Sequence, residues 1–173
     1  IYDNESSQYF KLPNIRNGSI SSLNISKSEN LLSFYHGSAK SPSDLYLLYI
    51  NNGKLKKLTN SMNPSINKEY LGEAKVIRFK SFDGLEIPAI YYKPPQASKG
   101  NKVPALVRVH GGPGGQARVG YRASTQFLVN HGYAVLDINN RGSGGYGKTF
   151  QTLDDQAHGK GDLDDCVWAM NWL

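Results

Sequence analysis

Residues 105–115 read Ala-Leu-Val-Arg-Val-His-Gly-Gly-Pro-Gly-Gly, an apolar run of strand length that empties into a glycine loop. A short run this rich in apolar residues predicts a buried strand. Glycines directly after it let the main chain turn outward and leave room for another molecule to approach. Working outward, Tyr121–Asn130 predicts a helix closed by His131-Gly132. Tyr133–Ile138 follows as a second strand, apolar enough to be covered on both faces. The last helix is predicted over Asp162–Leu173, with Leu163, Cys166, Val167 and Met170 on one apolar face. Asp162 suits its N-cap, and Asp165 suits the positive end of its dipole. Upstream, Ala74–Phe82 and Leu85–Tyr92 predict a hairpin around Asp83-Gly84, and Pro94-Pro95 through Lys102 a surface loop. Strand, helix, strand, helix predicts an α/β layer: a mostly parallel sheet flanked by helices.

The first third reads differently. Ser19–Ile25, Leu31–Tyr35, Leu45–Ile50 and Lys54–Leu58 are short strand-like runs separated by Lys27–Asn30, by His36–Asp44 with Pro42, and by Asn52-Gly53. Four antiparallel strands in so short a stretch suit one blade of a β-propeller, and they suit any antiparallel meander equally. Asn60–Gly72 reads as a linker. The expected division is therefore residues 1–70, an antiparallel blade with its linker, and residues 71–173, the α/β part.

Composition narrows the classes. The chain has 173 residues, 39% hydrophobic and 11% aromatic, an ordinary globular balance. No apolar run approaches the roughly 18 residues of a membrane span. The net charge of +6 comes from scattered residues. Its densest group, Lys54, Lys56 and Lys57, reads as a solvated strand face rather than a nucleic-acid site. Neither nucleic acid nor membrane is an expected partner. Cys166 is the single cysteine, so neither an intrachain disulfide nor a cysteine-built metal site is available, and it reads as a small core residue. No metal or other cofactor is expected. The chain opens on Ile1 rather than Met, and Ile1–Gln8 is polar with no signal peptide. We expect a cytoplasmic protein whose true N-terminus lies upstream.

Chemistry enters through the glycine loops. Acyl transfer passes through a tetrahedral oxyanion, and backbone N–H groups must point at that oxygen before it forms. One such donor lowers the barrier by about 3–4 kcal/mol. His-Gly-Gly after a strand is the form this loop takes in α/β-hydrolases. A second loop, Gly142–Thr149, fits the phosphate-binding pattern G-x-x-x-x-G-K-[ST], and Gly142, Gly144 and Gly147 also fit a dinucleotide pattern. A phosphate loop must open into a helix whose first amides hold the phosphates. Phe150–Lys160 has a thin apolar face, is interrupted by Gly159, and places Asp154 and Asp155 where a triphosphate would sit. Nucleotide binding is the remote alternative.

In order and spacing, Ser81–Pro88, His110–Gly115, Gly132–Val135 running into Asn139–Gly147, and His158–Asp165 resemble the prolyl oligopeptidase family of serine peptidases, in its dipeptidyl-peptidase and acylaminoacyl-peptidase branches. The resemblance covers about Lys75–Leu173, and residues 19–58 resemble, less specifically, the last blade of that family's propeller. It implies a partial α/β-hydrolase fold preceded by a propeller remnant, and hydrolysis of short peptides. It also implies roles: Gly112 supplies an oxyanion N–H, His110 and Gly111 shape the loop, and Arg141 and Tyr146 organise the active-site floor. For Arg141, an ion pair with an acidic neighbour is an equally open reading.

The nucleophile of such an enzyme sits on G-x-S-x-G, and no such pentapeptide occurs here, since Arg141 stands where Ser143 would need the first glycine. Ser143, His158 and Asp155 make only a makeshift triad. The resemblance places the true Ser, Asp and His beyond Leu173, so the chain alone should be inactive. It should also leave a sheet edge unpaired, to be covered by a companion segment or an oligomer partner. The alternative is a catalytically dead binding module on the same fold.

Overall fold

The computed structural model describes residues 2–3, 5–9, 15 and 18–173. Of the polar opening stretch and the 1–70 unit, residues 1, 4, 10–14 and 16–17 lie outside the described residues. Two short strands, β1 (Tyr2–Asp3) and β2 (Gln8–Tyr9), pair antiparallel. A four-stranded antiparallel sheet follows: β3 (Ser19–Ile25), β4 (Leu31–Ser38), β5 (Ser41–Tyr49) and β6 (Lys54–Lys57), in sequential order. Leu32, Phe34 and Leu48 form its core, and β3 is exposed along its whole length.

His36–Asp44 is not the break the sequence predicts. Only Ala39-Lys40 turns, and Pro42 lies inside β5. The register shifts between His36 and Ser38, so Pro42 sits at an irregularity beyond the end of β6, where its missing N–H costs no ladder bond. Lys57 is only partly a solvated residue, because its ammonium lies 2.6 Å from the buried Asp44 carboxylate. The 60–72 segment packs against the rest of the chain through the Gly72 N–H, which donates to Gln126. It buries Met62 and Leu71 and carries a 3-10 turn at Lys68–Tyr70 capped by Asn67.

The second sheet comprises β7 (Ala74–Lys80), β8 (Glu86–Tyr92), β9 (Ala105–Val109) and β10 (Ala134–Ile138), in the order β7-β8-β10-β9. Helix α1 (Ala123–Asn130) links β9 to β10, and α2 (Lys148–Gln151) and α3 (Gly161–Trp172) follow. The mostly parallel sheet is corrected to a mixed one: only β9 and β10 run parallel. The Asp83-Gly84 hairpin reverses β7 against β8, and β8 then meets β10 antiparallel. Every residue of β10 is buried. Val135 faces the core that includes Val129 of α1, whereas Leu136 and Ile138 face the core that includes Ala169 of α3. This two-residue alternation puts α1 and α3 on opposite faces. β9 is the outer strand, with Leu106 and Val109 largely exposed.

Helix α3 corrects two expectations. Asp162 lies in the first turn rather than at the cap, which is Lys160, and its Oδ1 accepts the Lys160 N–H at 2.9 Å. The predicted apolar face points away from the sheet: Leu163, Val167 and Met170 are 55%, 52% and 67% exposed. Asp165 and Ala169 are the buried residues instead, because Asp165 is drawn inward by Arg141 and Ser81. Among the described residues, no helix is long and apolar enough to cross a membrane.

Candidate active site

β9 and β10 run parallel, so the loops after them emerge at the same end of the sheet. His110–Gly115 leaves β9 and stands exposed from Gly111 to Gly114. Gly112 has φ +104°, a conformation that side chains with a Cβ rarely adopt. Among the described residues, the N–H groups of Gly111 and Gly112 have no hydrogen-bond acceptor. Both are therefore available to an incoming oxygen.

The loop is held from outside. His110 Nε2 lies 2.9 Å from Ser143 Oγ, and that hydroxyl donates to the Asn140 carbonyl at 2.6 Å. The one hydroxyl proton is thus committed, which makes His110 Nε2 the donor to Ser143. Gly144 N–H donates to the Gly115 carbonyl at 2.9 Å. Farther along, Asn139 accepts from Ala117 N–H at 2.7 Å and donates to the Ala117 carbonyl and to the Tyr146 hydroxyl. The Tyr146 ring in turn meets Phe150 edge-on.

Arg141 anchors the second loop beneath this. Its guanidinium bonds both Asp165 oxygens, at 3.0 and 2.9 Å, and reaches Asp83 at 2.9 Å. Its own N–H also donates to Asp165, and the Phe82 ring covers it at 4.7 Å. Ser81 Oγ completes the set by donating to Asp165 at 2.5 Å. The Asp165 hydrogen bonds raise the Arg141 pKa above its usual value, although burial opposes this. The same contact with Arg141 holds Asp83 below the usual carboxylate range. Of the two readings of Arg141, the ion pair is the contact the structure contains.

The makeshift triad is not assembled. Ser143 is fully buried, and His158 pairs with Asp154 at 3.0 Å rather than with Asp155 or Ser143. Cys166 is half-buried, and burial pushes its thiol up to about 11, so it stays protonated and is no nucleophile. The phosphate-loop reading finds only the four-residue α2 after Gly147, followed by turns bearing Asp154 and Asp155. Sequence reasoning missed Ser81, Asn139 and Asp165 as anchors. The one available sign was Asp165 directly before Cys166, inside a predicted apolar helix.

A profile of the prolyl oligopeptidase family matches residues 119–173. The chain is 31% identical over 143 residues to dipeptidyl aminopeptidase BIII of Pseudoxanthomonas mexicana, across 79% of this chain and 21% of that protein. Its structure resembles an acylaminoacyl peptidase of Pyrococcus horikoshii with TM-score 0.74 and 30% identity, across 91% of this chain and 24% of that one. A puromycin-hydrolyzing peptidase of Mycobacterium tuberculosis shares the fold at TM-score 0.87 and 23% identity, over 99% of this chain and 27% of that one. The chain spans about a fifth of the length of the curated relatives it matches.

Proposed function

The chain belongs to the prolyl oligopeptidase family of serine peptidases, and from that membership we propose that it forms the oxyanion-loop half of a peptidase catalytic domain, preceded by the closing blade of a β-propeller. The reaction is hydrolysis of short peptides by acyl transfer. Gly112 N–H, on a loop fixed by its neighbour but bonded to none of it, is the observation that supports this reading most. A donor placed before the oxyanion forms needs no reorientation during the reaction. Gly111 and His110 set the shape of the loop. Arg141 and Tyr146 act one layer below, keeping the floor in place through Asp165 and Asn139.

Chemistry also needs a serine nucleophile with its His and Asp, and none of the described residues has the required setting. A companion segment or partner subunit brings them, pairing with the open edge of β9 and covering Leu163, Val167 and Met170. The test is turnover of dipeptidyl chromogenic substrates. The chain alone should give none, and co-expression with a segment carrying the G-x-S-x-G serine should restore turnover that a serine-directed phosphonate blocks. Phosphonate-sensitive turnover by the mass-verified chain alone contradicts the proposal. Assembly without turnover favours a binding module on the same fold.

A further inference from the structure

Behind the second glycine loop, Asp154, His158 and Asp162 recur at four-residue intervals along the turns between α2 and the start of α3. The Asp154 side chain is 3% exposed and pressed against Gly142, where a Cβ would overlap the carboxylate. Its buried Oδ2 accepts no hydrogen bond. A buried carboxylate oxygen without a donor is costly unless a cation meets it. His158 Nδ1 lies 3.0 Å away, within ion-pair distance but outside hydrogen-bond geometry, so it does not donate to that oxygen. Asp162 supplies the other side. One ligand atom from each of the three residues falls within 4.8 Å of the other two. Nitrogen and oxygen ligands on a single tetrahedral zinc ion stand about 3.3 Å apart, so rotations of the more exposed His158 and Asp162 must close the set.

We propose that Asp154, His158 and Asp162 form a divalent-cation site for a first-row metal ion, with two carboxylate oxygens and one imidazole nitrogen as protein ligands and water completing the shell. This donor set suits Zn2+ or Mn2+ better than a thiolate-seeking ion. Asp154 and His158 also line an open cavity of about 630 Å³ together with Gly112 and Gly114, so the ion would fasten the turns behind the glycine loops to α3. The proposal does not depend on the peptidase reading, and its test needs no turnover. Calorimetry of the untagged, chelator-treated chain with Zn2+, and separately Mn2+, should show one saturable site. H158Q, which alters a half-exposed side chain, should weaken binding by at least about tenfold, since even outer-shell partners of a metal contribute that much. D162N should do the same, and H131Q, at an exposed histidine outside the cluster, should leave binding unchanged. Circular dichroism of each variant confirms the fold. No saturable binding of either ion, or wild-type affinity in H158Q, overturns the proposal.

Discussion

The segments that leave β9 and β10 at one end of the mixed sheet are opposite in physics. Gly111–Gly114 is exposed, with the Gly111 and Gly112 N–H groups unbonded among the described residues. Asn139–Ser143 is buried throughout, and its side-chain polar atoms are bonded except for Asn140 Oδ1. A loop that must keep its amides free for a ligand cannot be fixed by those amides. Its rigidity has to come from a neighbour, here through the His110–Ser143 and Gly115–Gly144 bonds. Glycine also serves two purposes. Gly112 would place a Cβ in open space, no closer than 3.6 Å to the Gly115 nitrogen, whereas at Gly142 it would overlap Asp154.

This contrast can be broken at several points, here from the largest expected effect to the smallest. Wild type and variants should be compared at matched concentration, because the open β9 edge makes association part of any measured stability. D165N removes the buried charge that pairs with Arg141 and one of the two oxygens that Arg141 and Ser81 share, and should cost about 3–5 kcal/mol in urea denaturation. G142A meets both a positive φ of +92° and the Asp154 carboxylate, and should cost about 2–4 kcal/mol. S143A leaves His110 Nε2 without its acceptor and the Asn140 carbonyl with only the Ser143 N–H, and should cost about 1–3 kcal/mol.

The antiparallel sheet has its own weak point, which is acid. Burial opposes ionisation of Asp44, but Lys57, the Ser61 N–H and the Thr59 and Ser61 hydroxyls bring its pKa from 3.8 down to about 2. A lowered carboxylate pKa stabilises the fold fully above pH 4 and loses that contribution as pH falls toward 2. The loss should be on the order of 1–2 kcal/mol, and D44N should remove that part of the acid dependence. G112A should cost least, about 1 kcal/mol of backbone strain with no collision. A G112A defect equal to that of G142A would show that the loops do not differ as described.

Much of this was legible in the sequence, for identifiable reasons. Asp83-Gly84 announces a hairpin because both residues suit the turn, and residues 105–109 and 134–138 announce strands because they are nearly all apolar. Spacing between the motifs carried the family. The handedness of pairing in the sheet was not legible, since apolar runs look alike in parallel and antiparallel strands. Nor was the orientation of α3: periodicity assigned Leu163, Val167 and Met170 to the core, but a buried ion pair at Asp165 outweighs three apolar side chains in setting which face turns inward. The anchors Asn139 and Ser81 were invisible for a related reason. A polar residue reads as surface until its distant partner is known, and Asp165 lies 84 residues from Ser81.

The claim at the centre is that the buried loop holds the exposed one in place. Nitrogen-15 relaxation of the Gly111 and Gly112 amides, in wild type and S143A, tests it directly. In wild type both amides should be as rigid as those of β10, and yet exchange rapidly with solvent because nothing accepts their hydrogens. In S143A they should become mobile on the nanosecond scale while β8 and β10 keep their rigidity. Equal mobility of these two glycines in wild type and S143A would contradict the account.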